Sequence, residues 1–286
     1  MNLLGVIKLK KIALMCDSCA DISSQEAKEL DIHVIRMPLN VDGKEHIEDV
    51  TISEQDIIVA MRNNKIVKTS QPVLGDVLKM WDELLKTYDE VFYLPLSKNL
   101  SGTCATAISM SQQYDGRVTV VDSEFVCYPI ITVLKWAREL FDQGFSCLEV
   151  KNKIETESDL YAILIPENMT ALKNGGRVSP AAAAIAGMLK ICPLLKVEHG
   201  AIDLADKVRT LKKAYKQGIE NITVGVDPSQ YHWMIIDSDN REVSNELKAQ
   251  LEAIVGQEVE QRTFRAVILS HTGPGTIGFG RIRKFK

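Results

Sequence analysis

The sequence predicts an α/β chain in two domains: a parallel-sheet α/β domain over residues 11–158 and an α+β domain over 159–286. Three observations carry that expectation. Strand-like and helix-like segments alternate through the first half, as in a parallel sheet with helical crossovers. The pattern changes near residue 150. With 286 residues, 45% of them hydrophobic, the chain is long enough for two ordinary cores.

Lys11–Cys16 is a short apolar run ending at Asp17-Ser18, and reads as the first buried strand. Asp21 is placed to cap a helix over Ser23–Leu30. His33–Leu39 alternates like a strand, and Asp42-Gly43 marks a hairpin turn after it. Ser53 caps the next helix. Asp76–Lys86 is an amphipathic helix, Glu90–Leu96 a buried strand and Thr103–Tyr114 a helix. A third strand from Arg117 ends in a second acidic-hydroxyl pair, Asp122-Ser123, and Tyr128–Gln143 is a long helix.

Further on, Leu148–Ile154 reads as a helix and Tyr161–Pro166 as a strand. The small apolar run Ala181–Leu189 precedes an extended Ile191–Val197, a His199-Gly200 turn and Ile202–Leu204. A basic helix over Lys207–Asn221, a strand His232–Asp237, a helix Arg241–Val255 and a strand Arg265–Ser270 follow.

Composition narrows the function. The net charge of -4 argues against a general nucleic-acid binder. That charge is uneven: residues 1–158 hold 17 Lys and Arg against 24 Asp and Glu, leaving the second half mildly basic. Such a half suits an anionic ligand or acidic partner, or is ordinary surface scatter. No apolar run approaches the ~20 residues of a membrane span, and the lysine-interrupted start is unlike a secretory signal. A cytoplasmic protein is expected. Six cysteines in this length do not suggest a disulfide framework. Cys16 and Cys19 match the C-x-x-C spacing of a redox pair; a buried strand end and a loop filler is the plainer reading.

Ligands of parallel sheets sit beyond the carboxyl ends of the strands, which directs attention to the loops there. Thr69-Ser70-Gln71-Pro72 enters a helix, and Pro72 keeps Gln71 extended. Unpaired N–H groups and two hydroxyls suit an anion, or simply a helix cap. In Ser101-Gly102-Thr103 the glycine lets backbone approach a ligand. Ser101 lacks the G-x-S-x-G context of a hydrolase elbow. Gly175-Gly176-Arg177 projects a guanidinium toward a carboxylate or phosphate, or toward solvent. Lys207, Arg209, Lys212 and Lys213 place cations at an expected helix start, against its dipole. His271 and Thr272 are expected on the tip of a strand, before the rigid Gly273-Pro274-Gly275 loop. Residue chemistry alone leaves open a serine hydrolase using Ser101, His271 and Asp122, and a phosphate or sugar-phosphate binder using the same loops.

Taken in order, Asp17-Ser18-x-x-Asp21, Thr69-Ser70-Gln71-Pro72, Leu96-Ser97, Leu100-Ser101-Gly102-Thr103, Asp122-Ser123, Gly175-Gly176-Arg177-Val178-Ser179, Lys207-Val208-Arg209 and His271-Thr272-Gly273-Pro274-Gly275 resemble the DegV family. These are the fatty-acid-binding subunits of bacterial fatty acid kinases. The resemblance spans about residues 11 to 280. It implies a long-chain fatty acid held between the two domains, with no cofactor and no metal. The carboxylate would be met by Thr69, Ser70 and Ser101, with His271 in the network and Gly102, Thr103 and Thr272 completing the ligand set. Arg177 and Arg209 would lie near the carboxylate or face the partner. That partner would be a separate ATP-dependent kinase subunit making acyl phosphate, and the lipid cargo implies transient membrane contact. This chain would be a carrier, not itself an enzyme, in keeping with the lack of a G-x-x-x-x-G-K-[ST] loop. Cys104, and Cys127-Tyr128-Pro129, depart from the family's usual residues and would reshape the tunnel. Its walls are expected from Ala181–Leu189 or from Ile130, Ile131 and Leu134; a packed core helix is the rival reading of Ala181–Leu189.

Overall fold

A computed structural model describes residues 10–188 and 190–285. The first residues, 1–9, and Leu189 at the end of the small apolar run lie outside that range.

In chain order the elements begin with β1 (Ile12–Asp17), α1 (Ser24–Glu29), β2 (Ile32–Ile35), β3 (Pro38–Val41), β4 (Lys44–Ile47), α2 (Glu54–Arg62), β5 (Val67–Thr69) and α3 (Leu74–Leu84). Then come β6 (Glu90–Leu94), α4 (Thr103–Ser111), β7 (Val118–Val120), α5 (Pro129–Asp142), α6 (Cys147–Glu157), β8 (Leu160–Ile165), α7 (Thr170–Gly175) and α8 (Pro180–Ala184). The remainder is β9 (Cys192–Glu198), β10 (Ala201–Val208), α9 (Leu211–Thr223), β11 (Tyr231–Asp237), α10 (Arg241–Val255), β12 (Val259–Thr263), α11 (Ala266–Thr272) and β13 (Ile277–Arg283).

These form a mixed α/β fold with three sheets. The first has the order β2-β1-β6-β7, with every pair parallel. Its inner strands are buried along nearly their whole length because helices cover both faces. The second is a small antiparallel sheet, β4-β3-β5. The third has the order β10-β9-β8-β13-β11-β12, antiparallel except where β12 lies parallel to β11. One apolar core joins the first sheet to the third through α5, α6 and α11, and includes Leu14, Phe92, Ile131, Leu164 and Ile236. A second core lies between the third sheet and α9 with α10, around Trp233 and Phe279. A third backs the first sheet with α3, around Trp81 and Tyr93.

Local chemistry explains most helix starts. Ser53 with Asp56, and Ser146 with Glu149, make reciprocal capping boxes. The helix expected after Asp21 is instead capped by Ser23, whose hydroxyl accepts from the Glu26 N–H. Asp21 is in the left-handed conformation, and its carboxylate accepts from the Arg265 N–H.

Four further expectations change. His33–Leu39 is not one strand: β2 belongs to the parallel sheet and β3 to the small antiparallel one. Lys207 is in strand, not helix, because a turn at His199 and Gly200, both at positive φ, folds β10 back on β9. The helix starts after a Thr210 cap, so Lys212 and Lys213, but not Lys207 and Arg209, occupy its first turn. Arg265–Ser270 is not a strand; residues 266–272 are α11. Among the described residues of the small apolar stretch only 181–184 are helical, as part of α8, with Ser179 as its cap.

Candidate functional site

Of the polar strand ends, two are committed to local contacts. The buried Asp17 carboxylate accepts from the N–H groups of Leu96 (2.9 Å) and Cys19 (3.1 Å), tying the ends of β1 and β6 together. The Ser18 hydroxyl accepts from the Met37 N–H. Asp122 pairs with Lys98 at 2.6 Å, and Ser123 accepts from the Phe125 N–H. Cys16 and Cys19 are buried thiols whose pKa values desolvation pushes up, which is the environment of an inert cysteine.

The remaining loops converge on a cavity of about 1030 Å³, counting its open mouth, between the first and third sheets. Its interior is lined by aliphatic and aromatic residues such as Leu96, Leu164, Met234, Ile236, Phe264 and Ile268. Thr69, Ser70, Gln71, Ser101, Arg177, His271 and Thr272 also reach its wall, and they are its hydroxyl, amide, imidazole and guanidinium groups.

β5 and α11 bring two of these groups together across 202 residues of chain: Thr69 Oγ1 and His271 Nε2 share a hydrogen bond at 2.7 Å. The other ring nitrogen, Nδ1, is buried without a partner. It faces Gly175, where a Cβ would come within 2.5 Å of it, so this position at the end of α7 must be glycine. Ser101 Oγ lies 2.8 Å from Thr103 Oγ1 and accepts from the Thr103 N–H, which fixes it at the start of α4. The Gln71 side-chain amide lies over Gly102 and would have to shift to admit a Cβ there. Arg177 is exposed at the mouth, and its Nε donates to the Leu100 carbonyl at 3.4 Å.

Not every expected residue is on the wall. Gly102 and Thr103 sit behind it, shaping Gln71 and Ser101. Thr272 is on it, but its hydroxyl donates back to the Ile268 carbonyl one helical turn earlier. Arg209 is exposed just after β10 and takes no part in the wall. The expected walls are also corrected: neither Ala181–Met188 nor Ile130, Ile131 and Leu134 line the cavity. The last three are fully buried, packed in the core. Residues that do line it, Phe264, Gly278 and Gly280 among them, carry no polar signal by which sequence reading finds a site.

A family described as "Uncharacterised protein, DegV family" matches residues 11–284. The chain belongs to the DegV family. A DegV domain-containing protein of Streptococcus pneumoniae is 30% identical over 95% of this chain and 99% of its own. Two solved DegV structures are similar over 96% of this chain at 27% identity. That of Thermus thermophilus, described as showing fatty acid binding, has a TM-score of 0.83 and is covered to 99%. That of Bacillus subtilis, described as a fatty acid binding protein, has a TM-score of 0.84 and is covered to 100%.

In this DegV protein the imidazole of His271 is neutral near pH 7, since burial and then the nearby Arg177 lower its pKa from 6.5 to about 4. The unfolded chain takes up this proton as pH falls through 6.5, whereas the folded chain does so only near 4. The group therefore contributes its full stability above pH 6.5 and loses it between 6.5 and 4, about 3 kcal/mol in all. His271→Gln is expected to lose less stability than the parent in urea unfolding between pH 7 and pH 4.5. Asp21 and Glu48, whose pKa values burial raises, act in the opposite sense in both proteins and cancel from the difference. Equal losses in parent and variant would remove the assignment.

Proposed function

We propose that this chain binds a long-chain fatty acid in the cavity and presents its carboxylate to a separate ATP-dependent kinase subunit, which converts it to acyl phosphate. Two domains, 11–158 and 159–286, hold the ligand between them. Thr69, Ser70 and Ser101 meet the head group, His271 completes the network, Gly102, Thr103 and Thr272 shape the surrounding loops, and Arg177 and Arg209 face the partner. In the partner's step a carboxylate oxygen attacks the γ-phosphorus of ATP and ADP leaves.

The observation that carries this reading is the segregation of the cavity wall: hydroxyls, an amide, an imidazole and a guanidinium at the ends of β5 and α11 and on the loops beside them, and hydrocarbon elsewhere. Burying about fifteen methylenes is worth on the order of 10 kcal/mol before ordering costs. A carboxylate buried without partners would cancel much of that gain, and hydroxyl donors remove the penalty. They also leave the oxygens more nucleophilic than a bidentate arginine clamp would. The description of the Thermus thermophilus and Bacillus subtilis proteins as fatty acid binding supports the same reading.

The hydrolase alternative is weaker. Among the described residues no hydrogen bond joins Ser101 to His271, and Asp122 pairs with Lys98 and does not line the cavity. A phosphate or sugar-phosphate would leave the apolar wall unused.

Mass spectrometry of solvent-extracted protein tests the proposal. Long-chain fatty acid is expected at near-equal molar amount, and Ser101→Ala is expected to retain less of it. Protein free of lipid that also fails to take up added fatty acid would refute it.

A further inference from the structure

β13 runs through the middle of the third sheet, between β8 and β11, and carries Gly278 and Gly280 on the face turned to the cavity. Glycine weakens a strand interior and commonly marks a place that something approaches closely. Neither residue has a positive φ, so turn geometry does not account for them.

At Gly280 a Cβ would lie 2.5 Å from the Ala162 Cβ on β8, so the sheet itself requires glycine there. At Gly278 a Cβ would meet the ends of two side chains, Phe264 Cζ at 3.1 Å and Leu164 Cδ1 at 3.3 Å, which would have to give slightly, and the Ile236 carbonyl oxygen at an ordinary contact distance of 3.8 Å. The fold thus tolerates a small side chain at 278 at the expense of the cavity.

Phe279 and Ile163 point to the opposite face, since both would press on a Cβ at Gly218 of α9 (2.7 and 3.2 Å). They nevertheless contribute to the cavity wall, which places the cavity against the strand itself. In register beside the two glycines stand Ala162 and Leu164 on one strand and Met234 and Ile236 on the other. Two strand spacings separate those flanks, about 10 Å. The near end of this channel adjoins the head-group loops, where Thr276 Oγ1 donates to the Thr272 carbonyl. The next residue on the same face is Ile282, fully buried and about 14 Å beyond Gly278 along the strand.

We propose that the glycine stretch of β13 at Gly278 and Gly280 is the trough that seats the acyl chain, and that Ile282 closes its far end and so determines chain length. The proposal rests on the fatty-acid reading of the cavity.

Delipidated protein titrated with saturated acids of 14, 16 and 18 carbons tests it. Gly278→Val is expected to weaken all three acids at least tenfold, because each is long enough to pass that point. Ile282→Ala is expected to shift preference toward the longer acid. Gly278→Ala, which adds a single methyl, replaces the valine variant if that variant does not fold, with a smaller loss in the same direction. A folded Gly278 variant with the parent's affinities, or a folded Ile282 variant with the parent's chain-length preference, would overturn the trough. A parent protein that binds none of the three acids would instead overturn the fatty-acid reading.

Discussion

Arg265→Leu is expected to lower the stability of the folded chain by on the order of 3–5 kcal/mol, as when one partner of a buried ion cluster is removed. Arg265 stands at the start of α11 and pairs with Asp49, with Glu54 at 2.9 Å and with Glu48 at 3.5 Å. Glu48 is fully buried; Arg36 holds its Oε2 at 3.0 Å, and the Ala266 N–H donates at 2.7 Å to Oε1, the oxygen that faces Arg265. Burial raises the Glu48 pKa, while Arg265 and Arg36 pull it back. Without Arg265 the carboxylate loses its principal compensation and is driven toward its protonated form. The deficit should therefore be larger at pH 7.5 than at pH 5, where protonation removes the uncompensated charge. Urea unfolding at the two pH values measures both quantities. A loss below about 1 kcal/mol at pH 7.5 would mean that the cluster behaves as an exposed one. Because α11 carries this cluster at one end and His271 at the other, the same variant should also loosen the head-group loops.

The second large effect is ligand removal. A ligand that binds only the folded state at a thousand times its dissociation constant stabilises by about 4 kcal/mol. Stripping bound fatty acid should therefore cost roughly that much, with a melting temperature several degrees lower, and adding the acid back should restore it. The expectation follows from a cavity between the first and third sheets that is apolar over most of its wall, and it rests on the fatty-acid reading. Identical melting curves for stripped and reloaded protein would contradict it.

The parallel half of the fold was legible because alternation and acidic strand ends are local signals. The strands at Ile12, Glu90 and Val118 and the helix at Pro129 lie where the pattern places them. α11 was not legible, because Ala266–Ser270 is buried on every side and a short all-apolar run has no period to read. β12 and β13 were missed for related reasons. The pattern Val-Glu-Gln-Arg-Thr of β12 lacks an apolar face, and β13 is diluted by two glycines. Thr69, Ser101 and His271 could be singled out because hydroxyls beside glycine and proline are unusual at element boundaries. That Thr69 bonds His271 depends on how the small antiparallel sheet folds over α11, which no local stretch encodes. The hydrocarbon lining is beyond sequence reading for the same reason: Phe264 and Met234 look like any core residues.

The order of strands in the third sheet has a bearing on biosynthesis. β13 is made after both of its neighbours and yet separates them. Chains are extended at about 5–20 residues per second, and domains fold as units once complete. On the ribosome, β8 and β11 must wait, unjoined, for that last wedge to arrive. A nascent chain therefore has no finished cavity wall until β13, which ends at Arg283, has been made.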